Sequence, residues 1–407
     1  MTVTLAARRM MFASALAWSG LVAAQPAVRA QSNTPVKIGV LTDQSGAAAD
    51  FSGRGTVLAA RMAVEDFGGK VLGRPIELLD GDHLSKPDLG VALARRWYDE
   101  GVEAIFDVGL TSIAIGVQQL ARDKNKVVVY LSTGSTDITG KYCSPNGIHW
   151  TYDTYSQANG AFLAYGGSPK DSWYFLTMDY AYGANLERDV TNRVAATGGK
   201  VLGTSKHSFE ATDFASDILR AQSSKATVVG LMTTTMHSVT VMKQVEEFGL
   251  RAGGQRVAAP ALTFHDIKAL GLPIAHDLMI VEAFYWDLNE ASRAFAKRYL
   301  EKFGRMPNMN QASAYGAVTH YLKSVEAAGA VEPGKVLPKM KATPINDFMT
   351  KDGSIRADGR VIRDMYLLRA KKPAESKGEW DLLELVKTLP GSEIFKAPDT
   401  EACNLVR

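Results

Sequence analysis

Cysteine is nearly absent from this chain, and so are the residue clusters that mark most enzyme active sites. Only Cys143 and Cys403 occur in 407 residues, which excludes a disulfide-dense scaffold and a thiolate-rich metal ribbon. The 7 histidines, His83, His149, His207, His237, His265, His276 and His320, lack close metal-ligand spacing. His265 and Asp266 are one adjacent pair, and His265 reads as a core or rim residue. There is no His-Glu-x-x-His, no Cys-x-x-Cys, no phosphate-binding Gly-Lys-Ser/Thr loop and no Gly-x-Ser-x-Gly elbow. Gly53-Arg54-Gly55 mimics part of a dinucleotide fingerprint, but the third glycine is missing. A charge excess is lacking too: 46 Lys and Arg against 43 Asp and Glu give a net +3 with no dense basic stripe, which argues against nucleic acid. No metal, no cofactor and no enzymatic activity are expected.

The N-terminus carries a pattern of its own. Arg8 and Arg9 precede an apolar run over residues 10–24, broken only by Ser14, Ser19 and Gly20, and Ala27-Val28-Arg29-Ala30 follows. A positive region, a short apolar region and small residues, in that order, describe an export signal over residues 1–30. Cleavage falls after Ala24 or Ala30, and the arginine pair leaves the general secretory and twin-arginine routes both open. The run falls short of the roughly 20 residues that span a bilayer, and no later run is longer, so an exported, periplasmic protein without membrane insertion is expected. In an oxidising compartment the two cysteines read either as one disulfide, tying the C-terminal tail to a mid-chain loop, or as two free thiols.

Past the signal, short apolar strands alternate with stretches of helical periodicity. Strands are expected at Val36-Lys37-Ile38-Gly39-Val40-Leu41, Ile76-Glu77-Leu78-Leu79-Asp80, Ala104-Ile105-Phe106-Asp107-Val108 and Val127-Val128-Val129-Tyr130-Leu131. Helices are expected to follow the first three of them. The rhythm breaks near residues 149–156 and restarts. Strands at 173–177, 200–203 and 227–231 then alternate with helices at 183–196, 214–221 and 238–248. Residues 371–378 read as a loop or hairpin tip. Two such βα units define an α/β fold of two Rossmann-like lobes with parallel sheets.

In such sheets a ligand sits outside the carboxyl ends of the strands. The segments there are Thr42-Asp43-Gln44-Ser45-Gly46, Gly109-Leu110-Thr111-Ser112 and Ser132-Thr133-Gly134-Ser135-Thr136. Rich in Gly, Ser and Thr, they suit a carboxylate held by N–H and O–H groups without a full salt bridge. As ordinary βα loops they would instead supply helix caps.

These segments, with Asp179-Tyr180-Ala181-Tyr182-Gly183, Phe284-Tyr285-Trp286-Asp287 and Ser313-Ala314-Tyr315-Gly316-Ala317, resemble the branched-chain amino acid (leucine-binding) group of type I periplasmic binding proteins. The resemblance covers essentially the whole mature chain. It implies a monomeric extracytoplasmic component of an ABC importer, delivering a small ligand to a membrane permease. It also implies three hinge crossings, near Tyr152, Tyr285 and Pro344. The lobes would then be residues 34–152 plus 286–344 and 153–285 plus 345–407. A ligand-sensing module of a receptor or regulator shares this fold.

Carried over onto this sequence, the resemblance assigns the ligand carboxylate to Gly109, Thr111, Ser132, Thr133, Ser135 and Thr136. Tyr182 caps the ligand from the second lobe, Thr233, Thr234 and Thr235 are expected to face the same cleft, and Gln44, Phe51 and Tyr152 complete the wall. Tyr152 could equally be hinge packing. Amino-acid-binding members place an acid just after a proline to hold the ammonium, whereas Ala258-Ala259-Pro260-Ala261-Leu262 puts Ala261 there. A buried ammonium without an anion is costly, so an aromatic or other non-amino organic acid is expected, with Phe264 packing its body. Asp266 or Glu282 standing in for the missing acid would restore an amino-acid ligand.

Overall fold

A computed structural model describes residues 1–2, 34–46, 48–165 and 168–406. The expected export signal, with Arg8, Arg9 and both candidate cleavage points, lies outside the described residues apart from its first two. From residue 34 on, nine elements alternate before the first break. They are β1 (Val36–Thr42), α1 (Gly53–Asp66), β2 (Lys70–Val71), β3 (Arg74–Asp82), α2 (Pro87–Asp99), β4 (Val102–Asp107), α3 (Thr111–Asp123), β5 (Val127–Tyr130) and β6 (Gly147–His149). The strands lie in the order β2-β3-β1-β4-β5-β6. All neighbours are parallel except the β2–β3 hairpin. β5 is buried at every position and β1 at all but one, as strands covered on both faces must be. Gly39 of β1 is forced by packing: a Cβ there would lie 2.6 Å from the indole of Trp97, so α2 sits flush on the sheet.

The second unit repeats the winding. α4 (Thr154–Tyr165) leads into β7 (Ser172–Met178), α5 (Ala181–Ala196), β8 (Lys200–His207), α6 (Ala215–Ser224), β9 (Val228–Met232), α7 (Thr235–Glu247) and β10 (Arg256–Ala258). The sheet order is β10-β9-β7-β8, all parallel. In both sheets the first long strand is flanked by the second on one side and the third on the other, so each has a switch point beside its opening strand. Among the boundaries that differ from expectation, β3 runs on to Asp82, β8 to His207, and α7 begins as early as Thr235.

The remainder is not parallel. After α8 (Phe264–Leu270) and α9 (Leu272–Ala275), β11 (Met279–Glu282) enters a third sheet. α10 (Glu290–Phe303), α11 (Met309–Ala328) and α12 (Pro333–Ala342) follow, then the short pair β12 (Ser354–Ile355) and β13 (Val361–Ile362). The third sheet is completed by β14 (Met365–Ala370) and β15 (Leu383–Leu389), in the order β11-β14-β15 with antiparallel pairing throughout. Residues 371–378 fall in the β14–β15 connection. α11 packs along α1, and its start is fixed by a capping box in which Asn308 accepts the Gln311 N–H. The last turn of helix, α13 (Gly391–Ile394), lies against α4, where Asn159 donates to the Glu393 carbonyl at 2.8 Å.

Cys143 and Cys403 are joined in the structure, their Cα atoms 5.8 Å apart across 260 residues of sequence. Replacing both with serine should lower unfolding stability by about 2–5 kcal/mol, since the bond closes a long loop in the unfolded chain. Melting of the native protein with and without reductant checks this; identical curves would contradict it.

Candidate functional site

One cavity lies at the carboxyl ends of the strands of both parallel sheets, with about 700 Å³ of empty space, open solvent at its mouth included. The segments after β1, β3, β4 and β5 contribute Ala48, Phe51 and Ser52, then His83 and Ser85, then Gly109, Leu110 and Thr111, then Ser132, Thr133 and Gly134. Those after β7, β8, β9 and β10 contribute Tyr180 and Tyr182, Phe209, Thr234, and Ala261. Tyr152 and Gln157 close the remaining side. Every strand of the two parallel sheets whose carboxyl end is free of a tight hairpin, β6 included through Tyr152, thus feeds one hollow.

Aromatic rings form much of the wall. Phe51 meets Tyr152 edge-on at 6.1 Å, and Tyr180 meets Phe209 at 5.6 Å. The Tyr182 hydroxyl donates to Gln157 Oε1 at 2.5 Å and the Tyr152 hydroxyl to the Ser132 carbonyl at 3.0 Å. Burial holds both phenols well above their usual pKa, so they stay neutral. Gly134 lies between these two rings; a Cβ there would come within 2.7 Å of each. The Tyr180 hydroxyl accepts the Ser112 N–H at 3.2 Å, joining the loops after β7 and β4. Among the described residues lining the cavity there is no Lys, Arg, Asp or Glu.

The loops are held tightly. Asp107, Val108 and Leu110 have φ of 79°, 54° and 63°, and Leu84 and Ser85 have 51° and 55°. Left-handed backbone at non-glycine residues costs about 1–3 kcal/mol each and persists only where the surroundings impose it, commonly at ligand sites. Asp107, buried beside the wall, accepts the Ser132 hydroxyl at 2.5 Å, and burial pushes its carboxyl up to about 6. His83 is fully buried and burial depresses its pKa, keeping the ring neutral near pH 7.

Of the sequence-derived candidates, Phe51, Gly109, Thr111, Ser132, Thr133, Tyr152, Tyr182 and Thr234 come together on this wall. Their hydroxyls are not all free, since Thr133 donates to the Val108 carbonyl. Five others lie elsewhere. Gln44 bonds Asp80 and Asp82 at the end of β3. Ser135 accepts the Asn185 amide and caps the turn at Asp137. Thr136 is engaged by Thr154, Asp189 and Arg188. Thr233 is buried against His237. Phe264 is a core ring packed on Tyr285 and Trp380.

Neither of the two alternative acids lines the cavity. Asp266 closes the capping box of α8 on Thr263, and Glu282 accepts the Phe264 N–H at 2.8 Å. Desolvation raises their carboxyls to about 7 and about 8. His83, Ser85, Tyr180 and Phe209 were missed in the sequence. A strand end drawn two residues later in β3, or carried through the polar end of β8, would have exposed His83 and Phe209.

Two parallel sheets sharing one cavity at their carboxyl ends are the arrangement of a solute-binding protein. The chain belongs to the periplasmic binding protein family, which matches residues 35–379. The family consists of non-enzymatic binding components that serve ABC transporters. Among solved structures, a periplasmic binding protein from Burkholderia mallei is 41% identical, with a TM-score of 0.85 over 89% of this chain and 96% of that one. A branched chain amino acid ABC transporter periplasmic ligand-binding protein from Burkholderia xenovorans is 36% identical, with a TM-score of 0.81 over 89% and 97%. An ABC transporter solute binding protein from R. palustris, in complex with 4-hydroxybenzoate, shares the fold at 21% identity, with a TM-score of 0.78 over 88% and 97%. Curated protein sequences give no match. Among the described residues no helix is long and apolar enough to cross a membrane.

Proposed function

We propose that this chain, exported with residues 1–30 removed, captures a small carboxylate with an aromatic or apolar body and no α-ammonium. It then presents this solute to an ABC permease. The observation carrying this reading is that Ala261, which the family resemblance sets where amino-acid binders hold an acid, lies on the wall and that no described lining residue is acidic. An ammonium there would lose its hydration without gaining an anion. A carboxylate is served by the N-terminus of α3 at Thr111 and by backbone N–H groups of neighbouring loops, which favour an anion. The rings of Phe51, Tyr152, Tyr180, Tyr182 and Phe209 suit a flat apolar body.

Capture involves closure of two lobes, residues 34–152 plus 286–344 and 153–285 plus 345–407, hinged near Tyr152, Tyr285 and Pro344. The Ser112–Tyr180 bond is then a closed-state contact. A thermal-shift screen of the mature protein tests the reading. Aromatic carboxylates at about 100 times their Kd should stabilise it by about 2.7 kcal/mol, while leucine and phenylalanine leave it unchanged. The reverse pattern would establish an amino-acid binder.

A further inference from the structure

His83 is the one fully buried imidazole on the cavity wall, and half of it has no partner. Its Nδ1 accepts the Ser85 N–H at 3.1 Å. The neutral ring therefore carries its proton on Nε2, as a donor. That Nε2 is buried and makes no hydrogen bond within the protein. It lies 3.4 Å from the point where a Cβ on Gly109 would stand, and Ser132 Oγ lies 3.3 Å from the same point. Ser132 gives its own proton to Asp107 Oδ1, so its oxygen offers lone pairs. Beside Gly109, then, one vacant donor and one vacant acceptor converge on a strip of wall kept clear by the missing side chain.

Few groups satisfy both. A carboxylate or carbonyl oxygen accepts from Nε2–H but has no proton for Ser132 Oγ, and a carboxylate would also face the Asp107 carboxyl. An ammonium donates to Ser132 but has no lone pair for Nε2–H. A hydroxyl does both at once. We infer that His83 and Ser132 form a hydroxyl-recognition pair, so that the preferred solute is a hydroxylated carboxylic acid whose hydroxyl sits against Gly109. This rests on the acid reading above and narrows its substrate class. The deoxy analogue would bury the Nε2 donor unsatisfied, which disfavours it.

Calorimetric titration with matched acids tests this: benzoate against 2-, 3- and 4-hydroxybenzoate, and 4-methylpentanoate against 2-hydroxy-4-methylpentanoate. One hydroxylated member should bind roughly tenfold or more tightly than its deoxy partner, as expected for a satisfied against an unsatisfied buried donor. His83→Phe keeps a ring and removes Nε2–H, together with the Nδ1 acceptor of the Ser85 N–H, and should bring that ratio to near one. The ratio is read within the variant, so any general change in affinity from the altered wall cancels, and its melting curve shows that it is folded. Ser132→Ala should reduce the ratio in the same sense. Equal binding of both members of every pair, or a ratio that survives His83→Phe, would overturn hydroxyl recognition and leave the acid reading standing. Binding of leucine with no acid of either kind would overturn both.

Discussion

Arg360→Ala should destabilise the protein by about 3–5 kcal/mol, the cost of leaving a buried charge without its partner. Arg360 is fully buried, and its guanidinium lies over the Phe395 ring at 4.4 Å. It donates to the Tyr152 carbonyl at 2.9 Å, the Trp150 carbonyl at 3.2 Å and the Val361 carbonyl at 3.0 Å. The buried Asp153 carboxylate is 3.7 Å away. Alanine would strand that carboxylate and the Trp150 and Tyr152 carbonyls in the segment that follows β6, and the Val361 carbonyl in β13. Arg360→Lys keeps the charge but not the planar fork, and should recover only part of the loss. Denaturant unfolding measures both. A loss below about 1 kcal/mol for the alanine variant, the level of an ordinary surface pair, would show that the cluster is not the tie described.

Ala261→Glu should reverse the ligand preference. The residue is buried on the cavity wall after β10. A glutamate there opposes a bound carboxylate by about 3 kcal/mol if the charges lie about 5 Å apart at an effective dielectric near 20. That corresponds to a loss of about a hundredfold in acid affinity. The same charge supplies the anion that an α-ammonium requires, so leucine or phenylalanine binding should be gained relative to the native protein. Unchanged affinity for the acid would mean that Ala261 does not face the ligand.

The sequence made the α/β class and the repeated winding legible because central strands are buried on both faces. Their apolar runs stand out, as in β1, β5 and β9. Edge strands were harder. β8 pairs only with β7 and is exposed over much of its length, so its polar continuation to His207 looked like loop, and Phe209 beyond it went unnoticed. β3 alternates between partly buried and exposed positions, which shortened it and hid His83. The antiparallel third sheet was missed because β11 is separated from its partner β14 by α10, α11 and α12.

Within the site, post-strand position located the loops but not which hydroxyls stay free. Ser135 and Thr136 carry the right chemistry but bond Asn185, Thr154 and Asp189. Such partners lie about 20 to 50 residues away, and spacing cannot reveal them. Ala261 was legible as a departure from a family pattern, and it remains the residue on which ligand class turns.

The most direct measurement is calorimetric titration of the mature protein with an aromatic carboxylate and, separately, with leucine. Saturable one-to-one binding of the acid and no heat from leucine is the predicted result. Tight leucine binding with no response to the acid would contradict the account at its centre.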